Sequence, residues 1–268
     1  MLVLLLIAAC LLEIKGKILV VGSINADTFL PIVRLPEPGE NLCTTSSPTL
    51  DVPGGKGATQ AVAAQKLHGN VLFIGQLGTD APESLLSALT NVDTSHCDFH
   101  NDCPTGRGYV LLAENGQVSA VVSGGANMDG WNEFDENKME AILNENDCDC
   151  VMLQREVPEE VNLLVAKCCR KRNILVFQDV GGEDRPISRE MLQLCDYLVP
   201  NETELKRLVE SFGMVSTTST SVVDMAKFLQ EQGANHVLVT RGSRGSTLVL
   251  KKSGDDVLHQ PACTIDTP

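Results

Sequence analysis

The strongest constraint on how this chain folds is the regular return of short, unbroken apolar runs, spaced by segments long enough for one helix. Residues 17–22 (KILVVG), 71–75 (VLFIG), 150–154 (CVMLQ), 174–178 (ILVFQ), 197–199 (YLV) and 236–240 (HVLVT) are such runs. A strand covered on one face alternates apolar with polar residues, whereas one covered on both faces reads as a continuous apolar run. The segments 57–68, 135–144, 158–171, 188–195 and 221–232 carry no Gly or Pro beyond their first residue and read as helices. Strands alternating with helices predict a doubly wound α/β fold, a three-layer α/β/α sandwich around a parallel sheet.

Several segments depart from that rhythm. Residues 28–53 contain Pro31, Pro36, Pro38, Pro48 and Pro53 between short extended stretches, a poor setting for a helix. Residues 109–112 and 118–122 are extended runs flanking Glu114–Asn115–Gly116, a hairpin signal. These segments are expected to pair as a second, smaller sheet. Residues 246–260 read as another hairpin-like stretch.

Composition narrows the classes. A chain of 268 residues accommodates one large α/β domain with a small appendage. Hydrophobic residues make up 43% and aromatics only 4%, so the core must be aliphatic. The net charge of −14 disfavours nucleic acid and anionic membranes as general partners. The ten cysteines carry no second close-spaced pair at a zinc interval, and are read as reduced core or surface residues. The histidines at 68, 96, 100, 236 and 259 likewise show no metal spacing and are read as structural or exposed. Residues 1–12, MLVLLLIAACLL, are apolar throughout but too few to span a bilayer. With no basic residue ahead of them and no A-x-A-like site behind, they make a poor secretory signal. Residues 1–16 are therefore an apolar extension, either a targeting segment or an alternative start, ahead of a domain at 17–268.

In open α/β sheets, ligands bind outside the carboxyl ends of the strands. Asn25 and Asp27 follow the first apolar run and suit hydrogen bonds to hydroxyls, or simply a turn. Gly54–Gly55–Lys56–Gly57 opens a helix and lets backbone N–H groups approach an anion or a polyol. It is neither a Walker A loop nor a G-x-G-x-x-G turn. Glu156, Asp179 and the pair Asn201 and Glu204 follow later runs, and the last pair also suits a helix cap. Residues 237–245, VLVTRGSRG, end a strand in a Gly-rich basic loop suited to phosphates or to a tight turn.

Taken in order, these motifs resemble the ribokinase-type sugar kinases. The resemblance covers residues 17–268 and rests on Gly22, Ser23, Asn25, Ala26 and Asp27, then on Gly54–Ala58. It continues through Gly124–Asn127, Leu153–Glu156, Asn201–Glu204 and Thr240–Gly245, while Asp179–Gly182 is most similar to plant ribokinases. It implies a ribokinase-like sandwich whose small sheet (28–53 and 109–122) is a lid and often a dimer contact, making a homodimer through the lid an expected partner. It further implies ATP-dependent phosphorylation of D-ribose at O5, with ATP, Mg2+ and K+ as cofactors, in the cytoplasm or a plastid. By the same resemblance, Asn25, Asp27, Gly55, Lys56, Thr59 and Glu156 would hold the sugar. Asn201 and Glu204 would stand near the phosphates and magnesium, Thr240, Gly242 and Gly245 on the nucleotide side, and Asp266 and Thr267 at the monovalent cation. The family usually has Asn where this chain has Thr59, and residues 81–100 are shorter than usual. The family's catalytic Asp is expected beyond Pro268, so little turnover is expected of the chain as it stands. The alternatives are another sugar or nucleoside kinase of the same superfamily, or a non-catalytic sugar-binding form.

Overall fold

The computed structural model describes residues 14–182, 185–217, 219–251 and 257–262. Asp266, Thr267 and the apolar run 1–12 lie outside the described residues. The chain enters the domain just before the first strand, where the Lys15 and Gly16 amides both donate to the Asp149 carboxylate at 2.7 Å.

The main sheet is built around β1 (Lys17–Val21), which pairs in parallel with β4 (Val71–Ile74) on one side and β9 (Cys148–Arg155) on the other. Beyond β9 the sheet continues through β10 (Leu175–Gly182), β11 (Tyr197–Val199) and β12 (His236–Thr240), all parallel. It closes with the antiparallel pair β13 (Ser246–Val249) and β14 (Val257–Gln260). The chain steps from β1 outward to β4 and then resumes on the opposite side at β9, so the strand order reverses between β1 and β9. A crevice opens at such a switch point because the crossover helices diverge to opposite faces.

Both faces of the sheet are covered, which explains the unbroken apolar runs. Leu19 and Val21 point into a core shared with α4 (Glu136–Glu145), α5 (Glu159–Lys171), α6 (Arg189–Leu194), α7 (Glu202–Ser211) and α8 (Val222–Glu231). Ile18 and Val20 point the other way, against Ala58, Ala61 and Ala64 of α1 (Lys56–His68) and Leu85 of α2 (Glu83–Ala88). The alanines let α1 approach the sheet closely. Helix α7 is not among the segments read as helical from sequence, although Leu205, Leu208 and Val209 recur at helical spacing and are buried.

A second sheet has the order β3 (Thr49–Gly54), β2 (Asn25–Ile32), β7 (Arg107–Ala113), β8 (Val118–Ser123). Strand β2 begins almost directly after β1, so Asn25 and Asp27 belong to this sheet rather than to a loop. The prolines of the excursion sit in the exposed connection and at strand ends, where a missing N–H costs no central ladder bond. A third, two-stranded parallel pair joins β5 (Gln76–Gly78) to β6 (Asp98–His100), and the short helix α3 (Ala126–Asp129) follows β8.

Leu153 lies fully buried in β9, near the middle of the main sheet. Leu153→Ala removes its packing where neighbours relax little, and should cost about 2–5 kcal/mol. Urea denaturation reads this as a lower midpoint at unchanged slope; a midpoint within error of the parent chain's would contradict the placement of β9.

Candidate functional site

The site begins with a helix that lacks a cap of its own. Gly55 precedes α1 with φ +88° and has no side chain to satisfy the first N–H groups. The Glu156 carboxylate, arriving from the end of β9, does so instead. Its Oε2 accepts from the Lys56 amide at 2.8 Å and from the Ser23 hydroxyl at 2.6 Å. The Ser23 hydroxyl in turn accepts weakly from the Gly57 amide at 3.3 Å, and its carbonyl accepts from Ala58 at 2.9 Å. A carboxylate at a helix N-terminus meets the positive end of the helix dipole as well as orphan donors.

Around this clamp lies a cavity of about 570 Å3 between the main sheet and the small one. Asn25, Asp27, Gly55, Lys56, Thr59 and Glu156, the residues assigned to the sugar by resemblance, all line it. Asp27 sits between two backbones that approach it closely: a Cβ on Gly54 would fall 2.0 Å from its carboxylate, and one on Gly108 would fall 2.4 Å away. The Gly108 amide donates to its Oδ1 at 2.9 Å. Burial raises the Asp27 carboxyl above the usual aspartate range, with the Gly108 N–H opposing and the Glu156 charge adding to the rise. Asn25 is almost fully buried, and its Oδ1 accepts from the Asn127 side chain at 2.7 Å. Asn127 also bonds the Ile24 backbone through both its amide atoms, at 2.9 and 3.1 Å. The carbonyl side of Asn25 is thereby occupied, which leaves its amide N–H groups as donors.

Lys56 and Asp179 form the deeper wall. A Cβ on Gly181 would lie 2.6 Å from the Lys56 ammonium, which places that charge beside the end of β10. Asp179 Oδ1 accepts from the Gly181 amide at 2.6 Å and Oδ2 from Gln60 at 3.0 Å. Gln60 is held by Gln154 at 2.8 Å. Burial pushes the Asp179 carboxyl up to about 6, against the pull of Lys56 and the Gly181 N–H, and with the push of Glu204 and Glu156.

The residues assigned to the nucleotide gather elsewhere, at the ends of β11 and β12. Asn201 and Glu204 form a reciprocal capping box on α7: Asn201 Oδ1 accepts from the Glu204 amide at 2.9 Å, and Glu204 Oε2 accepts from the Asn201 amide at 2.8 Å. Asn201 pairs by a single bridge with Thr240, so these strand ends are neighbours. Gly242 opens the short 3-10 turn after β12, and Gly245 ends it with φ +82°, where a Cβ would strike the Gln260 carbonyl at 1.9 Å. Arg241 and Arg244 are drawn to Glu202 on α7, so they brace this loop rather than standing as loose solvated charges. The charge of Glu204 reaches Asp179, which links the two groups across the crevice.

Sequence reading gave no specific role to three contributors to the site. Asp179 stood out only as one of several strand-end acids. Gln60 gave no signal beyond its place on α1. Gly108 acquires its role from the pairing of β2 with β7, which sets Gly108 beside Asp27 and is not visible locally.

Fold and site together define a doubly wound α/β protein with a polar-lined pocket at the switch point, roofed by a small sheet. Residues 15–267 match the model of the pfkB family carbohydrate kinases. The chain is 40% identical over 240 residues to the ribokinase of Arabidopsis thaliana, covering 87% of this chain and 61% of that protein's length. Against the ribokinase of Staphylococcus aureus (strain COL) it is 30% identical over 255 residues, with 94% and 81% covered. The solved structure of Arabidopsis thaliana ribokinase complexed with ribose and ATP superposes with a TM-score of 0.81 at 36% identity, over 95% of this chain and 80% of that one. This chain belongs to the pfkB family of carbohydrate kinases.

The raised Asp179 carboxyl has a measurable sign. Between the ordinary aspartate value of 3.8 and about 6, the native state keeps a proton that the unfolded chain has released. The contribution of this group to stability is therefore full below that interval and falls as pH rises through it. Carbon-13 NMR titration of Asp179 should give a midpoint near 6; a midpoint at or below the ordinary value would contradict the burial argument.

Proposed function

We propose that this chain carries sugar-binding and nucleotide-binding residues of an ATP-dependent kinase that phosphorylates D-ribose at O5, giving D-ribose 5-phosphate. The observation that carries the reading is the convergence of Asn25, Asp27 and Lys56 in one cavity under the small sheet. A carboxylate held by a backbone N–H, an amide with free donors and a lysine suit the alternating donors and acceptors of a free sugar. The similarity to a ribokinase solved with ribose and ATP supports the same assignment.

In this reading Asp27 and Asn25 orient the sugar, and Thr59 offers a shorter hydroxyl arm at the rim. Lys56 opposes the charge of Asp179. Glu156 acts mainly by fixing the start of α1. The phosphates of ATP lie toward Asn201, Thr240, Gly242 and Gly245. Phosphoryl transfer depends on positioning and on charge stabilisation at the phosphates, and Mg2+ would supply the latter. Glu204 would suit that hard cation, because the capping box engages its carboxylate through Oε2 and leaves Oε1 as an oxygen donor. The assignment of K+ to Asp266 and Thr267 rests on the resemblance. The small sheet acts as a lid. Its outer strand exposes Val118, Val121 and Val122, which supports a homodimer formed through it. Among the described residues no helix is long and apolar enough to cross a membrane. The compartment belonging to this reading is the cytoplasm or a plastid.

Phe29, Val110, Val122 and Met152 also line the cavity, and this apolar wall favours a second reading, a substrate with an apolar face such as a deoxy sugar or a nucleoside. Calorimetry with ribose, 2-deoxyribose and adenosine separates the two. Ribose should bind most tightly, and Asp27→Ala should weaken it by about 2–5 kcal/mol. An unchanged affinity removes Asp27 from the site, and a preference for adenosine favours the nucleoside reading. An ADP-release assay with ribose, Mg2+ and K+ then distinguishes a kinase from a protein that only binds the sugar.

A further inference from the structure

Away from the sugar cavity, the loop joining β6 to β7 brings together an imidazole, a carboxylate and a thiol. A ring nitrogen of His100, a carboxylate oxygen of Asp102 and the Cys103 sulfur all lie within 4.8 Å of one another. The sequence shows no familiar metal spacing here. The cluster arises because the chain turns sharply after β6 and is held while it turns.

The orientation of His100 is set from outside the cluster. Its Nε2 lies 2.6 Å from Oε1 of Gln76, a fully buried side chain. The other end of that amide donates to the Asp98 carboxylate at 3.3 Å, and Asp98 is paired with Lys138 at 2.8 Å. An ionised carboxylate only accepts, so the Gln76 amide must turn its nitrogen to Asp98 and its oxygen to His100. His100 Nε2 is then the donor, and the neutral ring presents a bare Nδ1 lone pair. Metal-ligating histidines are oriented in this way, with the second ring nitrogen donating to a fixed oxygen.

The rest of the loop is equally constrained. The His100 carbonyl accepts from the Thr79 amide at 2.8 Å. The Thr105 amide and hydroxyl both donate to Asp80, at 2.7 and 2.8 Å, and Thr105 Oγ1 accepts from the Gly78 amide at 3.0 Å.

We propose that His100, Asp102 and Cys103 form a binding site for a borderline-soft divalent cation of the zinc class, with water completing the coordination. Mixed nitrogen, oxygen and sulfur donors suit zinc and disfavour magnesium or calcium, which take oxygen alone. The surrounding carboxylates favour a dication at this place. The site has a structural consequence. It would pin the loop that leads into Arg107 and Gly108, and Gly108 holds Asp27. A metal here would steady one wall of the sugar cavity without touching the sugar.

Cobalt(II) reports thiolate ligation by a charge-transfer absorption in the near ultraviolet. Titrating the full 268-residue chain with Co2+ alone, under reducing conditions, should develop this band to saturation at one equivalent, and Zn2+ should bleach it. Cys103→Ser should abolish the band, while Cys43→Ser, at an exposed cysteine, should leave it intact. Asp102→Asn, an exposed change that spares the fold, should weaken cobalt binding by roughly tenfold, about 1.4 kcal/mol. Absence of the band from the unaltered chain, its survival in Cys103→Ser, its loss in Cys43→Ser, or unchanged affinity in Asp102→Asn would each overturn the proposal. All these readouts are independent of ribose binding, so failure of the sugar assignment leaves them unaffected.

Discussion

One carboxylate holds the architecture of the site together. Glu156 arrives from the end of β9 and joins the turn after β1 to the first N–H of α1. It adds to the direct bonds that the Ala58 and Gly57 amides make to Ser23. The helix starts at glycines that offer no cap, and the strand ends in a turn whose Ser23 hydroxyl needs an acceptor. A charged acceptor bonded to both satisfies orphan donors and the helix dipole together. The cavity lies directly beside this contact, so its floor is no firmer than the clamp.

The electrostatics follow from the crowding the clamp creates. Asp27, Glu156 and Asp179 all face one small space, and Glu156 raises the carboxyls of both the others. Lys56 supplies an opposing charge at the start of the same helix that Glu156 caps. Both carboxyls accept from a backbone N–H and both are raised by burial, and Asp179, the more strongly desolvated, moves up to about 6. A pocket with carboxyls of different acidity can offer acceptors and, at mildly acidic pH, a donor, which suits a polyol better than uniform charge would.

Backbone approach is the third element. Asp27 is enclosed by Gly54 of β3 and Gly108 of β7, and any side chain at either position would occupy the space of its carboxylate. The small sheet is thus more than a cover. Its register decides which residues stand beside Asp27, and Asn127 ties the first strand of that sheet to the segment following its last one. The loop preceding β7 carries the His100, Asp102 and Cys103 cluster, so the edges of the pocket and of that cluster share one piece of backbone.

The main sheet was legible because burial on both faces leaves a local mark: KILVV, VLFI and HVLVT each hold an unbroken apolar stretch, whichever helices cover them. Asn25, Asp27, Lys56 and Glu156 were legible because polar residues at strand ends and glycines at a helix start stand out against such runs. Helix α7 escaped because its opening residues carry both cap and site signals, and the cap alone does not show where a helix continues. What only the tertiary structure decided is pairing. Nothing local in Gly108 points to Asp27, nothing in Gln60 to Asp179, and nothing in Gln76 to His100. Each contact joins residues distant in sequence, and depends on strand order and register or on how helices and loops pack against the strands. Apolar periodicity records how deeply a segment is buried, and carries no information about which partner lies beside it.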